Sequence, residues 1–316
     1  MHSAQPSPRA RRNRLLRHAS VAQRRALRLP GDVRALLWSG TSGLVFVVLN
    51  AIMRQLAVTL GTSQTQFLRY LMGLLVMLPL VLRAGPRSFW PHNVVGQFTR
   101  GGIHTVALVL WFMALSHITI AETTAISFTT PIFIMLGALL VFREPMRWPL
   151  WLAAGIGFGG VLIVVAPKLG GAGGSYSLLM LASSPVFAAS YLMTKALTRY
   201  ERAEVIVVWQ AISVTALSLP LALWHWHAPT PGQWATCLVC GMLGSTGHYC
   251  LTRSYAAANI SATQSVKFLD LVWATLIGWL AFGDQPSRST LIGGLVICGS
   301  TLWIARREAR GARQGG

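Results

Sequence analysis

The chain has 316 residues, of which 53% are hydrophobic and only 11% are charged. Soluble domains usually carry about 25% charged residues, so this composition argues against a water-soluble enzyme and excludes a wholly disordered chain. The net charge of +19 arises largely at the two ends, where nine arginines precede residue 35 and four follow residue 305. Basic ends around long apolar runs favour anionic lipid, rather than nucleic acid, as the partner.

Ten runs are apolar and long enough to cross a bilayer as helices, which requires about 20 residues. Turn-forming stretches rich in Gly, Pro, Asn and Asp separate most of these runs. The sequence therefore predicts an all-α integral membrane protein with ten transmembrane helices. The predicted spans are 35–58, 64–83, 96–117, 119–142, 148–166, 176–198, 203–224, 233–256, 261–282 and 288–306.

The positions of Lys and Arg predict the orientation. If the N-terminus is cytoplasmic, the cytoplasmic side holds thirteen basic residues beyond the N-terminal tail, including Arg100. The other side of the membrane holds three. Because cytoplasmic loops are enriched in Lys and Arg, we expect both termini in the cytoplasm and the protein in the inner (cytoplasmic) membrane. A transit peptide is the alternative interpretation of the Arg-rich N-terminal tail.

A weak internal repeat relates residues 112–144 to residues 252–284 at a constant offset of 140. Six positions are identical, including Phe128 and Phe268, and Glu144 matches Asp284 in charge. Five helices per half is an odd number, so the second copy must enter the membrane in the opposite direction. Inverted copies of this kind form alternating-access transporters. The predicted segments are a basic tail 1–34, a first five-helix repeat 35–166, a Gly-rich linker 167–175, a second repeat 176–306 and a basic tail 307–316.

Two stretches carry a family resemblance. The fourth and fifth spans contain PIFIMLGALLVFREP and WLAAGIGFGGVLIVV, and the second half closes with LVWATLIGWLAFGDQPSRSTLIGGLVICGSTLWIA. These stretches resemble the EamA domain of the drug/metabolite transporter (DMT) superfamily, over about residues 35–306. The second copy also has some similarity to the branch of S-adenosylmethionine uptake carriers. The resemblance implies two inverted EamA repeats and a secondary transporter, and analogy with the family favours export.

The ninth span contains two ionisable residues, Lys267 and Asp270, with Gln264 one turn earlier. Each charge costs about 2.5–3.5 kcal/mol to insert, so we expect the pair to face protein or a water-filled cavity. One interpretation is a substrate or proton site, and the alternative is a structural ion pair. Asp270 and Glu122, which opens the fourth span, are the acids best placed to relay a proton.

Histidines and aromatic residues follow helical spacing in two spans. Arg100, His104, Ala107 and Trp111 share a stripe in the third span, and His248 lies on a similar stripe in the eighth. Such a stripe suits a planar or cationic organic solute through stacking and cation–π contacts. The alternative is ordinary packing, with the histidines hydrogen-bonded between helices.

Arg69 lies five residues inside the second span, where it either forms part of a site or extends to the headgroups. Asn50 in the first span and Gln210 in the seventh are further polar residues in apolar surroundings. The predicted cavity residues are Asn50, Arg69, His104, Trp111, Gln210, His248, Gln264, Lys267 and Asp270.

The predicted function is transport of a small amphipathic metabolite, such as an amino acid, its derivative or a vitamin, driven by a solute or proton gradient. No cofactor or metal is expected, because Cys237 and Cys240 form a single CxxC without a second pair. Two alternatives are a structural or regulatory membrane subunit and an intramembrane enzyme using Ser245 with His248. Small residues at GxxxG spacing, such as Gly155 and Gly159, indicate close packing and leave a homodimer open.

Overall fold

A computed structural model describes residues 30–115, 117, 126–145, 147–166, 174–224, 226–282 and 288–314. Within these ranges the regular structure is helical and contains no strand. A short 3-10 helix spans Pro86–Phe89. The α-helices are α1 (Gly31–Leu60), α2 (Thr62–Ala84), α3 (Val94–Leu115), α4 (Thr130–Phe142), α5 (Trp148–Val165), α6 (Gly174–Leu197), α7 (Ala203–Trp224), α8 (Pro231–Ala257), α9 (Ile260–Lys267), α10 (Leu269–Phe282) and α11 (Arg288–Gln314).

Four of the described helices combine the length and hydropathy needed to cross a membrane, namely α1, α2, α7 and the part of α6 from Ser175. Shorter apolar stretches form α4, most of α5 and the first part of α11. The helices α3 and α8 are long but contain arginine and histidine in their interior. The prediction of an all-helical membrane protein is confirmed at this level, whereas the number of ten spans stays a prediction.

The ninth predicted span, 261–282, is divided into α9 and α10 by a turn at Phe268. The ring of Phe268 is fully buried and stacks on Phe128, with ring centroids 5.8 Å apart. It also lies against Gly157 of α5, where a Cβ would come within 2.6 Å of the ring. The prediction of one continuous helix is therefore wrong. No Pro or Gly lies at the break, so the sequence carries no local signal for it, and the break coincides with the packing around the Phe268 ring.

The two halves of the chain pack along each other. Helix α1 lies along α8, α3 lies along α6, α2 packs on α7, and α5 packs on α11. At the last of these contacts, Ser300 Oγ donates a hydrogen bond to the carbonyl oxygen of Ala153 at 2.7 Å. Gly160 and Gly293 face each other closely. A Cβ at Gly160 would lie 3.0 Å from the carbonyl oxygen of Gly293, and a Cβ at Gly293 would lie 2.5 Å from that of Gly160.

Close packing in α5 uses a different glycine from the expected GxxxG pair. Gly155 and Gly159 have no atom within 4 Å of an added Cβ, whereas a Cβ at Gly160 would meet the side chain of Ile297 at 2.8 Å. The pattern was ambiguous because small residues occur on several faces of this helix. A homodimer formed through the Gly155 face stays a prediction.

We expect Gly160→Val to lower the free energy of unfolding by about 1–3 kcal/mol, the usual cost of overpacking a close contact. Thermal unfolding of the purified protein in detergent measures the effect. Gly155→Val, in the same helix but facing open space, is the matched control and should leave the midpoint unchanged. Equal losses in the two variants would contradict the described α5–α11 contact.

Candidate functional site

Buried polar side chains from several helices meet around Tyr70 of α2. The Tyr70 hydroxyl lies 3.0 Å from Nε2 of His104 in α3 and 3.1 Å from Nε2 of His248 in α8. Gln210 of α7 donates to the same hydroxyl at 3.5 Å. All four side chains are buried, so the contacts connect helices of both halves inside the bundle.

The contacts determine which ring nitrogens carry protons. Arg69 Nη2 lies 3.2 Å from His248 Nε2, and arginine can only donate, so this nitrogen is an acceptor and the ring proton is on Nδ1. Tyr70 has a single proton to donate, so its hydroxyl donates to His248 Nε2, which is an acceptor, and accepts from the Nε2–H group of His104. His104 Nδ1 then accepts a hydrogen bond from the hydroxyl of Ser190 in α6, with Oγ 3.2 Å away.

Arg100 is fully buried beside this network and has several hydrogen-bond partners. Its Nη1 donates to Thr194 Oγ1 of α6 and to Gln210 Oε1 of α7, each at 3.0 Å. Its Nη2 donates to the carbonyl oxygen of Ile206 at 2.9 Å. The guanidinium therefore joins α3, α6 and α7 through neutral oxygens.

Arg69, by contrast, lies mainly among aromatic rings. Its Cζ is 4.6 Å from the centroid of the Tyr70 ring and 6.0 Å from that of Phe46. Its Nε is buried without a hydrogen-bond partner. The guanidinium lies on Gly244 of α8, where a Cβ would come within 2.9 Å of Nε, so the absence of a side chain at Gly244 allows this position.

A small cleft between α2, α7 and α8, with a cavity volume of about 10 Å³, is lined by Arg69, Tyr70, Gln210 and His248, together with small and apolar residues. Ligand pockets usually measure about 300–1,000 Å³, so in this conformation the cleft is closed to an organic solute and has room for about one water molecule. A second cavity, of about 310 Å³, lies between α2, α3 and α7, with Gln66 among its lining residues. Gln66 is one helical turn from Tyr70, which places the two spaces on adjacent parts of α2.

The ion pair of the ninth span lies next to the network. Lys267 Nζ is 3.6 Å from Asp270 Oδ2 across the α9–α10 break. The same ammonium is 5.8 Å from the centroid of the Phe46 ring, which also contacts His248 edge-on at 4.9 Å. Asp270 Oδ1 lies against Gly43 of α1, where a Cβ would overlap it.

The structure brings together most of the predicted site residues. Four of them lie in or directly beside the cleft, and two form the adjacent ion pair. These six are Arg69, His104, Gln210, His248, Lys267 and Asp270.

Four other predicted residues lie elsewhere. Gln264 is buried, but its amide nitrogen donates within its own helix, to the carbonyl oxygen of Ile260 and to Thr263 Oγ1. Trp111 packs in an apolar cluster that includes Met180 of α6. Asn50 is exposed on α1. The predicted proton carrier Glu122 lies outside the described residues.

Sequence reasoning did not assign Phe46, Tyr70, Arg100 or Ser190 to the site. Arg100 is on the predicted stripe of the third span and among the predicted cytoplasmic charges, and the structure buries it within α3. Its position one turn before His104 was a usable signal, as was the adjacency of Tyr70 to Arg69. Phe46 offered no signal, because one aromatic residue in an apolar span is indistinguishable from packing.

The sequence model of the EamA-like transporter family matches residues 33–166 and 174–306. A riboflavin transporter of Rhizobium johnstonii is 33% identical over 281 residues, which cover 88% of this chain and 93% of the relative. An S-adenosylmethionine uptake transporter of Rickettsia conorii is 24% identical over 83% of this chain and 88% of the relative. A solved structure titled "Crystal structure of protein" has a similar fold, with a TM-score of 0.75 at 18% identity, over 87% of this chain and 98% of that chain. Since the family match spans both halves, the chain belongs to the EamA-like transporter family.

Proposed function

We propose that this protein is a secondary transporter of a small amphipathic metabolite with a planar heteroaromatic ring, and that it works by alternating access in the cytoplasmic membrane. The observation that carries the proposal is the buried network of Arg69, Tyr70, His104 and His248, which joins both halves beside a cleft. Hydrogen-bonding groups among aromatic rings suit a flat polar solute. Riboflavin is the first compound to test, because a relative is named as its transporter.

The inverted arrangement of the halves is part of the proposal. Adding the repeat offset of 140 to Ala153 and Gly160 gives Gly293 and Ser300. If each residue is replaced by its counterpart in the other half, the Ala153–Ser300 contact becomes the Gly293–Gly160 contact, and both contacts are present. This exchange is expected for two copies related by a two-fold axis in the membrane plane, which supports two inverted five-helix repeats around a shared site.

An enzymatic role receives no support from the Ser245–His248 pair. A serine hydrolase requires a histidine nitrogen that accepts the proton of the serine hydroxyl. Here His248 Nε2 contacts Arg69 and Tyr70 instead. We therefore propose that these residues belong to a binding site without covalent chemistry.

Flux through proteoliposomes tests the proposal. Vesicles with the purified protein should move radiolabelled riboflavin faster than empty vesicles, and loading either side measures uptake and export separately. Export stays a prediction, and one relative is named for uptake. Tyr70→Phe should lower the initial rate about tenfold, because hydrogen bonds contribute about 0.5–1.5 kcal/mol each and 1.4 kcal/mol is tenfold.

Tyr200→Phe is the matched control, because Tyr200 is exposed and lies outside the network. It should retain the wild-type rate. Riboflavin flux equal to that of empty vesicles would exclude riboflavin as the substrate, and the same result across amino-acid derivatives and other vitamins would overturn the transport proposal.

Proton coupling through Asp270 is a separate part of the proposal. One oxygen of this carboxylate pairs with Lys267, and the other is buried without a hydrogen-bond partner. The same vesicles with an imposed pH gradient provide the test, with Asp270→Asn as the variant that removes the titratable group. A wild-type flux that does not respond to the gradient would contradict coupling.

A further inference from the structure

The charges in the polar core do not balance. Arg69, Arg100 and Lys267 are positive, and the carboxylate beside them is that of Asp270, 3.6 Å from Lys267. Lys267 and Asp270 offset each other, so the two arginines lack a carboxylate partner among the described residues.

The other carboxylates near the ends of the core are committed elsewhere. Glu144 accepts hydrogen bonds from the backbone nitrogens of Ile260 and Ser261, at the start of α9. Glu201 accepts from the backbone nitrogens of His92 and Asn93, just before α3. Both acids neutralise helix ends, where unpaired N–H groups favour negative charge.

The two arginines differ in how many donors remain free. Arg100 uses both terminal nitrogens in three hydrogen bonds to neutral oxygens and does not line the cleft. Arg69 has five N–H donors, and its one hydrogen bond within the described structure is to His248. Arg69 lines the cleft, so its guanidinium has donors left to bind a solute there.

We propose that Arg69 binds a carboxylate of the transported molecule, with the adjoining planar part of that molecule against Tyr70 and Phe46. The inference rests on the proposed transport function of the cleft, and it favours carboxylate-bearing vitamins and amino-acid derivatives over riboflavin, which has no carboxylate. A carboxylate matches the planar fork of a guanidinium through two parallel hydrogen bonds, and it supplies the negative charge that the core lacks. A cationic solute would instead meet the unbalanced charges of Arg69 and Arg100 in surroundings that screen them poorly.

Three small probes separate charge from shape. Benzoate, benzamide and benzamidinium share a ring and a planar substituent, with charges of −1, 0 and +1. Their dissociation constants can be measured from thermal stabilisation of the purified full-length protein, because ligand binding to the folded state raises its stability. The buffer contains no other carboxylate, and chloride is kept at the same low concentration in every measurement, so that competition for Arg69 is equal for the three probes.

We expect the wild-type protein to bind benzoate at least about tenfold more tightly than benzamide, which corresponds to about 1.4 kcal/mol, and benzamidinium not at all. Arg69→Gln should remove the preference and bring the two constants together. Arg253→Gln is the control, because Arg253 lies over the rings of Trp38 and Tyr249, 5.9 Å from each centroid, and it should retain the preference.

A second variant covers the case in which Arg69→Gln does not fold. Gly244→Ala leaves Arg69 in place but adds a Cβ within 2.9 Å of its Nε, so the guanidinium must shift and the benzoate preference should fall. No stabilisation of the wild type by benzoate, equal affinity for the three probes, or a preference that persists in Arg69→Gln would overturn the inference.

The binding measurement tests the carboxylate inference and the flux measurement tests the transport proposal, so either one can be contradicted without the other. A benzoate preference that depends on Arg69, in a protein that moves no solute through vesicles, would remove the transport proposal and leave an anion site. Flux of a neutral or cationic solute, in a protein without a benzoate preference, would remove the carboxylate inference and leave the transport proposal.

Discussion

Arg100→Ala should unfold at a markedly lower temperature than the wild type, with a loss of about 3–5 kcal/mol in the free energy of unfolding. This is the range for truncating large, fully buried side chains, and Arg100 is 1% exposed. The substitution also removes the hydrogen bonds to Thr194, Gln210 and Ile206 that join α3 to α6 and α7. We expect transport to fall with it, because Gln210 also donates to Tyr70.

Thermal and denaturant unfolding in detergent measure the loss. Arg87→Ala, at an exposed position in the 3-10 helix, is the control and should change stability by no more than about 0.5 kcal/mol. Arg100→Met separates volume from hydrogen bonding, because it refills much of the space without a charge. Replacing buried ionic groups by apolar ones is often tolerated, so this variant should be more stable than Arg100→Ala while transport remains impaired. Unchanged stability of Arg100→Ala would contradict the described network.

Glu144→Ala is expected to give the second large loss, of about 2–4 kcal/mol. The carboxylate accepts from the backbone nitrogens of Ile260 and Ser261 at 3.0 and 3.3 Å and from the Ser261 hydroxyl at 2.5 Å. Glu144 is buried, and each buried donor left unpaired costs about 1–3 kcal/mol. The loss should concentrate at the start of α9, where this carboxylate pairs the first backbone N–H groups of the helix.

Hydrogen exchange of the amides at residues 260 and 261 distinguishes this local effect from general destabilisation. Both amides should exchange faster in Glu144→Ala, while amides in the middle of α7 keep their protection. Glu204→Ala is the matched control, since Glu204 accepts a single long hydrogen bond, from the Tyr249 hydroxyl at 3.4 Å. Equal protection of residues 260 and 261 in wild type and Glu144→Ala would show that the carboxylate does not hold the helix end.

The sequence predicted the class of the molecule because transfer of side chains from water to lipid depends on composition over about 20 residues and not on detailed packing. The same argument found the intramembrane charges. Arg69, Lys267 and Asp270 are conspicuous in apolar runs, and the structure places all three near the cleft.

Apolar residues, which do not differ in polarity from the rest of their span, were harder to assign to the site. Phe46 lies between Arg69 and Lys267, but its position follows from how α1 packs on α8 and not from any local pattern. Trp111 and Gln264 are the converse case, and their roles stay predictions. Their spacing was compatible with a cavity, yet rotation of α3 and the start of α9 turn them toward an apolar cluster and toward their own helix.

By itself, the sequence determined that the chain is apolar, helical and a member of the EamA-like family, because hydropathy, charge placement and the quoted stretches are local properties. The tertiary structure decided which polar groups meet. It placed Tyr70 between two histidines from different halves, divided the ninth span at Phe268 and left Arg69 with free donors beside a cleft. These features depend on contacts between helices far apart in the chain, such as the close approach of Arg69 to Gly244, and no periodicity within one helix encodes such a distance.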